Sequence, residues 1–204
     1  MIRLSHIVAF LTATLGLGCA NGDGRGFGTV SGKLRVTFAG TEFETSAGET
    51  AKLQRVTVTV SALTMDAPVE SASGAGTRTA TFAVGSSFGP LAGDFALPFG
   101  PFEVDRGDYA TLGVKLTLVE FEGEVGDESF KLMVQPKGGI VLTSPAALPV
   151  NDTRAPNIDL SVTVKLATDL LDGVDPTTEA AVTVLEGRVA TLGQLGATWT
   201  RTDD

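Results

Sequence analysis

The chain has 204 residues, 43% hydrophobic and 19% charged, a balance that supports a packed core and excludes a wholly disordered chain. Its formal net charge of −9 repels phosphate backbones, so no nucleic acid partner is expected. His6 is its single histidine and Cys19 its single cysteine, so beyond residue 19 there is no imidazole for triads, proton transfer or zinc ligation, and no thiol for a disulfide.

At the start, Met1-Ile2-Arg3 places a positive charge ahead of an apolar run over residues 7–17, interrupted only by Thr12 and Thr14. A membrane-spanning helix needs about 20 apolar residues, so the run reads as a signal peptide covering residues 1–18. It ends in Leu15-Gly16-Leu17-Gly18-Cys19, which resembles the lipobox of bacterial lipoproteins, with Gly16 standing where that family prefers leucine. The resemblance implies cleavage before Cys19, a diacylglycerol on its sulfur, and a membrane partner engaged through that lipid. Ala20, where lipoproteins retained in the inner membrane carry aspartate, implies the outer membrane. Each buried acyl CH₂ contributes about 0.8 kcal/mol, so two or three chains are enough to anchor a protein. Cleavage after Ala20 instead, with Gly18 and Ala20 as the small residues, would discard Cys19; either cut exports the chain.

Residues 19–31 read as the acylated cysteine and a flexible tether, because Ala20-Asn21-Gly22-Asp23-Gly24-Arg25-Gly26-Phe27-Gly28 is too polar and glycine-rich to order itself. Residues 32–204 read as one domain. Period-two alternation predicts its strands: Leu34, Val36 and Phe38 face one way, as do Val56, Val58 and Val60. Leu63 and Met65 fall out of that phase, which predicts a β-bulge near Ser61 or Ala62. Ala80, Phe82 and Val84 form the next inward set, followed by Leu112, Val114, Leu116 and Leu118, then Phe130, Leu132 and Val134. Ile158, Leu160, Val162, Val164 and Leu166 alternate over the longest uninterrupted stretch. Breakers separate these segments at Gly74-Ala75-Gly76, Asp105-Arg106-Gly107-Asp108, Glu122-Gly123-Glu124, Pro136-Lys137-Gly138-Gly139 and Asp172-Gly173. A short helical turn is expected at Thr168-Asp169-Leu170-Leu171. Residues 180–200 are expected to add one or two last strands, with Trp199 closing or capping the core. Strands with one apolar face at this spacing imply an all-β, antiparallel two-sheet β-sandwich, immunoglobulin/transthyretin-like in general architecture.

Within the body, Gly32-Lys33-Leu34-Arg35-Val36, the run from Leu53 through Arg55-Val56-Thr57-Val58-Thr59-Val60 to Leu63, and Gly107-Asp108-Tyr109 ahead of a long strand are similar to an uncharacterised family of exported bacterial β-sandwich lipoproteins. That resemblance covers about half of the chain and implies fold and location only.

With histidine gone, carboxylates carry the remaining chemistry. Glu120, Glu122, Glu124 and Asp127, with Glu128, are expected to crowd a hairpin tip, and Asp169, Asp172 and Asp175 to surround Gly173. Oxygen ligands alone bind calcium, so both sets are candidate calcium sites, although neither has the spacing of the known calcium loops and solvated polar turns explain both. No other cofactor is expected. Leu97-Pro98-Phe99-Gly100-Pro101-Phe102 is an apolar loop in which Phe99 and Phe102 are a candidate contact, unless the loop simply packs over the sandwich end. Arg106-Gly107-Asp108 reads as a turn. Asn151-Asp152-Thr153 fits a glycosylation triplet that a bacterial exporter does not normally use. The leading reading is a non-catalytic outer-membrane or cell-surface lipoprotein with a binding or structural role toward an unknown protein or glycan. Two others stay open: a calcium-dependent or glycan-binding adhesion module, and a carboxylate-based hydrolase.

Overall fold

In the computed structural model, which describes residues 26–71, 74–88, 96–150 and 157–202, the alternating segments become strands of two facing sheets. The chain runs through β1 (Phe27–Ala39), β2 (Glu42–Glu44), β3 (Thr50–Ser71), β4 (Gly74–Phe88) and β5 (Ala96–Asp105). It continues through β6 (Asp108–Val125), β7 (Glu128–Val134), β8 (Ile140–Pro149) and β9 (Asn157–Ala167), a 3-10 turn (Thr168–Leu170), helix α1 (Ala180–Leu192) and β10 (Gln194–Arg201). One sheet is ordered β10-β9-β1-β5. The other is built on the long central pair β3 and β6, with β2 and β4 sharing the outer edge of β3 and β7 and β8 sharing that of β6.

The inward residues meet in one core. Leu34 and Phe38 from β1, Val58, Leu63 and Met65 from β3, Val114 and Phe121 from β6, and Ile158, Leu160 and Val162 from β9 are all buried. Phe38 and Phe121 join the two sheets edge to face, with ring centroids 6.2 Å apart. The bulge expected near Ser61 is present as a register shift between Val60 and Ala62, which brings Leu63 and Met65 back to the core face. A second shift opposite Leu118 turns that residue outward, and Val119, Phe121 and Val125 take over the inward phase of β6.

The crossing from β5 to β6, from one sheet to the other, is made by Asp105-Arg106-Gly107-Asp108, as its turn chemistry predicts. Tyr109, the second residue of β6, is 1% exposed, and its hydroxyl donates to the Asp105 carbonyl at 2.8 Å. A buried phenol needs such an acceptor, so the ring fills the core while its oxygen ties down the corner. Arg106 fastens the start of β1 to the same corner: its backbone N–H donates to the Gly26 carbonyl at 2.8 Å and its Nε to the Phe27 carbonyl at 3.2 Å.

Several expectations are corrected. The sheets are not purely antiparallel: β1 and β9 pair in parallel from Thr29↔Asn157 to Ala39↔Ala167, because alternation fixes which face a residue occupies and not which way a strand runs. Strand β1 opens at Phe27, so residues 27–31 of the expected tether belong to the sheet. Glu122-Gly123-Glu124 is no turn but lies inside β6, and the reversal falls at Gly126-Asp127, where Gly126 takes φ +59°. Residues 97–102 are no loop either. They lie in β5, an edge strand whose Pro98 and Pro101 are exposed and whose ladder is irregular only where Val30 and Gly32 face the Phe99 to Phe102 stretch.

Residues 180–200 contain a helix as well as a strand. Ala181, Leu185 and Val189, spaced by four, form the buried stripe of α1. The turn expected at 168–171 is the 3-10 turn, closed by the Leu171 N–H on the Thr168 carbonyl. Trp199 is half-buried against the core from the edge strand β10, with the Arg201 guanidinium 5.9 Å from its ring centre. Residues 1–25, with the expected signal peptide, Cys19 and most of the tether, lie outside the described residues, as do the side chains of Phe82 and Val84 and the triplet at Asn151.

Candidate functional site

Glu120, Glu122 and Glu124 alternate with buried residues along β6, so all three stand on its solvent face rather than across a turn. Their cross-strand partners are basic. Arg55 of β3 lies opposite Glu122, Lys52 opposite Glu124, and Lys131 of β7 opposite Glu122 on the other side. The Lys131 ammonium donates to Glu122 at 2.7 Å and lies 3.0 Å from Glu120. Asp127 is exposed at the β6–β7 reversal, beyond this ladder. Opposite charges facing one another across strands stabilise a sheet, and Lys131 engages Glu120 and Glu122, whereas the ammonium of Lys52 pairs with Glu42 of β2 at 3.6 Å and not with Glu124.

The Lys131 hydrogen bond holds the Glu122 carboxyl below its ordinary value of 4.5, and Glu122 with Glu120 holds the Lys131 ammonium above its ordinary 10.5. A depressed carboxyl stabilises the fold above its unfolded value and loses that contribution as pH falls through the folded one. A raised ammonium stabilises below its unfolded value and loses that as pH climbs through the folded one. Lys131→Met is therefore expected to lower the urea midpoint near neutral pH, by a small amount fitting a surface pair, with the difference from the native chain closing below pH 4.5 and above pH 10.5. A difference that stays constant across that range would contradict the pairing.

The second acidic set is also held apart. Asp175 accepts from the Thr177 backbone N–H at 3.0 Å and its hydroxyl at 2.6 Å, a local turn ahead of α1 that depresses the Asp175 carboxyl. Asp172 contributes its backbone carbonyl to Arg188, whose Nη1 also reaches the Leu170 carbonyl at 3.1 Å, while Asp169 projects from the 3-10 turn. Among the described residues, no group of three or more carboxylates, histidines or cysteines converges in a way that could hold a metal ion. Phe99 is buried, and its ring stacks on that of half-buried Phe102 at 6.3 Å, so Phe99 belongs to the core and is not an exposed contact.

Among the described residues, a feature that could take a ligand was not signalled by any motif. It is a cleft of about 350 Å³ where β1, β9 and β10 meet at one end of their sheet. Ala39 ends β1 there, Lys165 to Ala167 end β9, and Gln194 begins β10; Asp169 and Leu170 of the 3-10 turn and Leu192 of α1 complete the lining. Arg188, bridging α1 to the carbonyls of Leu170 and Asp172, fixes the two overhanging segments to each other. Leu192, the last residue of α1, is 50% exposed and lends its side chain to the lining. Neither Lys165 nor Asp169 has an ion-pair or side-chain hydrogen-bond partner among the described residues. The cleft therefore offers an apolar wall with one unengaged cation and one unengaged anion, in a volume at the lower end of the range for small-molecule sites.

Comparison with protein-family models, curated proteins and solved structures found no match for the chain. No helix among the described residues is long and apolar enough to cross a membrane.

Proposed function

We propose that the chain is an exported envelope lipoprotein, anchored to the outer membrane through Cys19, whose body is a non-catalytic binding module. The observation that carries this reading is the position of the single cysteine: it closes a short apolar run, and the sheet begins only eight residues later, at Phe27. The seven residues between them reach at most about 25 Å, so acyl chains on Cys19 would hold the body close to the bilayer. Strand β1 leads away from that tether, and its 13 residues span about 40 Å at roughly 3.3 Å each. On this reading the cleft at Ala39 lies at the opposite end of β1 from the tether.

A body without histidine or cysteine beyond residue 19, in which Lys131 already engages Glu120 and Glu122, supports binding over catalysis and over calcium-dependent adhesion. We read the architecture as immunoglobulin/transthyretin-like in general outline. The buried Tyr109 with its hydroxyl on the Asp105 carbonyl four residues upstream, at a corner between facing sheets, supports that reading.

Metabolic labelling with an alkyne fatty acid tests the anchor. The native chain is expected to take up label in the membrane fraction, and Cys19→Ala to lose both label and membrane association. Label that persists in Cys19→Ala, or never enters the native chain, would refute it.

A further inference from the structure

We infer that the cleft at the end of β1, β9 and β10 binds a small zwitterion with an apolar body, of the free amino-acid or short-peptide class, with its carboxylate on Lys165 and its ammonium on Asp169. This rests on the reading of the body as a binding module and names the ligand class that module takes.

The argument is one of charge and size. A purely apolar ligand would use the apolar wall and leave the exposed Lys165 and Asp169 without a role. A phosphate-bearing ligand calls for several cations or a cradle of backbone N–H groups, whereas Lys165 is the single cation in the lining, and nearby Arg188 is engaged by two carbonyls. A metal ion calls for more than the single carboxylate of Asp169. A zwitterion satisfies both charged groups at once and leaves its side chain for the exposed face of Leu192 and the methyl groups of Ala39 and Ala167. The volume of about 350 Å³ suits one such small molecule and not a folded partner.

The test uses the full chain carrying Cys19→Ala, labelled with ¹⁵N, titrated with the dipeptide Leu-Leu into the millimolar range. Saturable amide shifts are expected at residues 165–170 and 192–194. Lys165→Met and Asp169→Asn, both exposed, are each expected to weaken binding about tenfold, as loss of one charge-assisted hydrogen bond implies. The same dipeptide with an acetylated amine and an amidated carboxyl is expected not to saturate. Absence of saturable shifts, shifts centred elsewhere, unchanged affinity in both variants, or equal binding of the capped dipeptide would each overturn the assignment. Because Cys19 is absent from this protein, failure here leaves the fatty-acid labelling result untouched, and failure of labelling leaves this titration untouched.

Discussion

Phe121→Ala is expected to destabilise the fold by about 3–5 kcal/mol, read as a loss in the urea unfolding midpoint at unchanged slope. Phe121 is fully buried and reaches from β6 across the sandwich to Phe38 of β1. Truncation removes its transfer free energy, opens a cavity between the sheets, and loses an edge-to-face pair worth about 0.5–1.5 kcal/mol beyond area alone. Phe121→Leu keeps most of the volume and is expected to cost less. Phe27, 65% exposed at the mouth of β1, provides the contrast: Phe27→Ala is expected to lie within about 0.5 kcal/mol of the native chain. Similar losses at the two positions would mean that the sheets do not face one another through Phe121.

Gly32→Ala is expected to be at least as severe as the worst overpacking, above about 3 kcal/mol. A Cβ at Gly32 would sit 1.8 Å from the Leu160 carbonyl oxygen, and because the obstacle is backbone no rotamer change relieves it. The parallel β1–β9 ladder would have to part near its start, where Gly32 and Leu160 are in register. Gly187→Ala is expected to act in the opposite direction. Gly187 lies in α1, a Cβ there meets nothing within 4 Å, and removing glycine from a helix interior contributes about 0.5–1 kcal/mol. Urea melts of the two variants side by side give the signs; a Gly32→Ala protein as stable as the native chain would rule out the parallel pairing.

How far the fold was readable depended on whether the signal was local. Alternation along Ile158 to Leu166 is a property of consecutive residues, and the burial of β9 follows it position by position. The bulge after Val60 was readable for the same reason, since a phase change is visible within a few residues. Gly123 misled because a glycine between two glutamates has two meanings. It marks either a turn or a close approach, and here a Cβ would lie 2.2 Å from the Lys52 carbonyl of the next strand. Helix α1 was hidden by composition: Val182, Thr183, Val184, Val189 and Thr191 favour strands locally, and only the spacing of Ala181, Leu185 and Val189 pointed the other way. Phe99 and its prolines suggested a loop because nothing nearby shows that β5 lies at a sheet edge, where a missing N–H costs no ladder bond.

The candidate site was the least readable part. Ala39, Lys165, Asp169, Leu192 and Gln194 come from five separate elements and form no motif along the chain. The amino-acid order by itself determined the β character, the phase of the long strands, most of the turns, the single cysteine at position 19 and the lack of histidine beyond it, because each depends on residue identity or short-range spacing. Only the tertiary structure decided strand direction, the pairing of the acidic stripe with Lys131 and Arg55, and the cleft, because each depends on which distant segments are brought side by side.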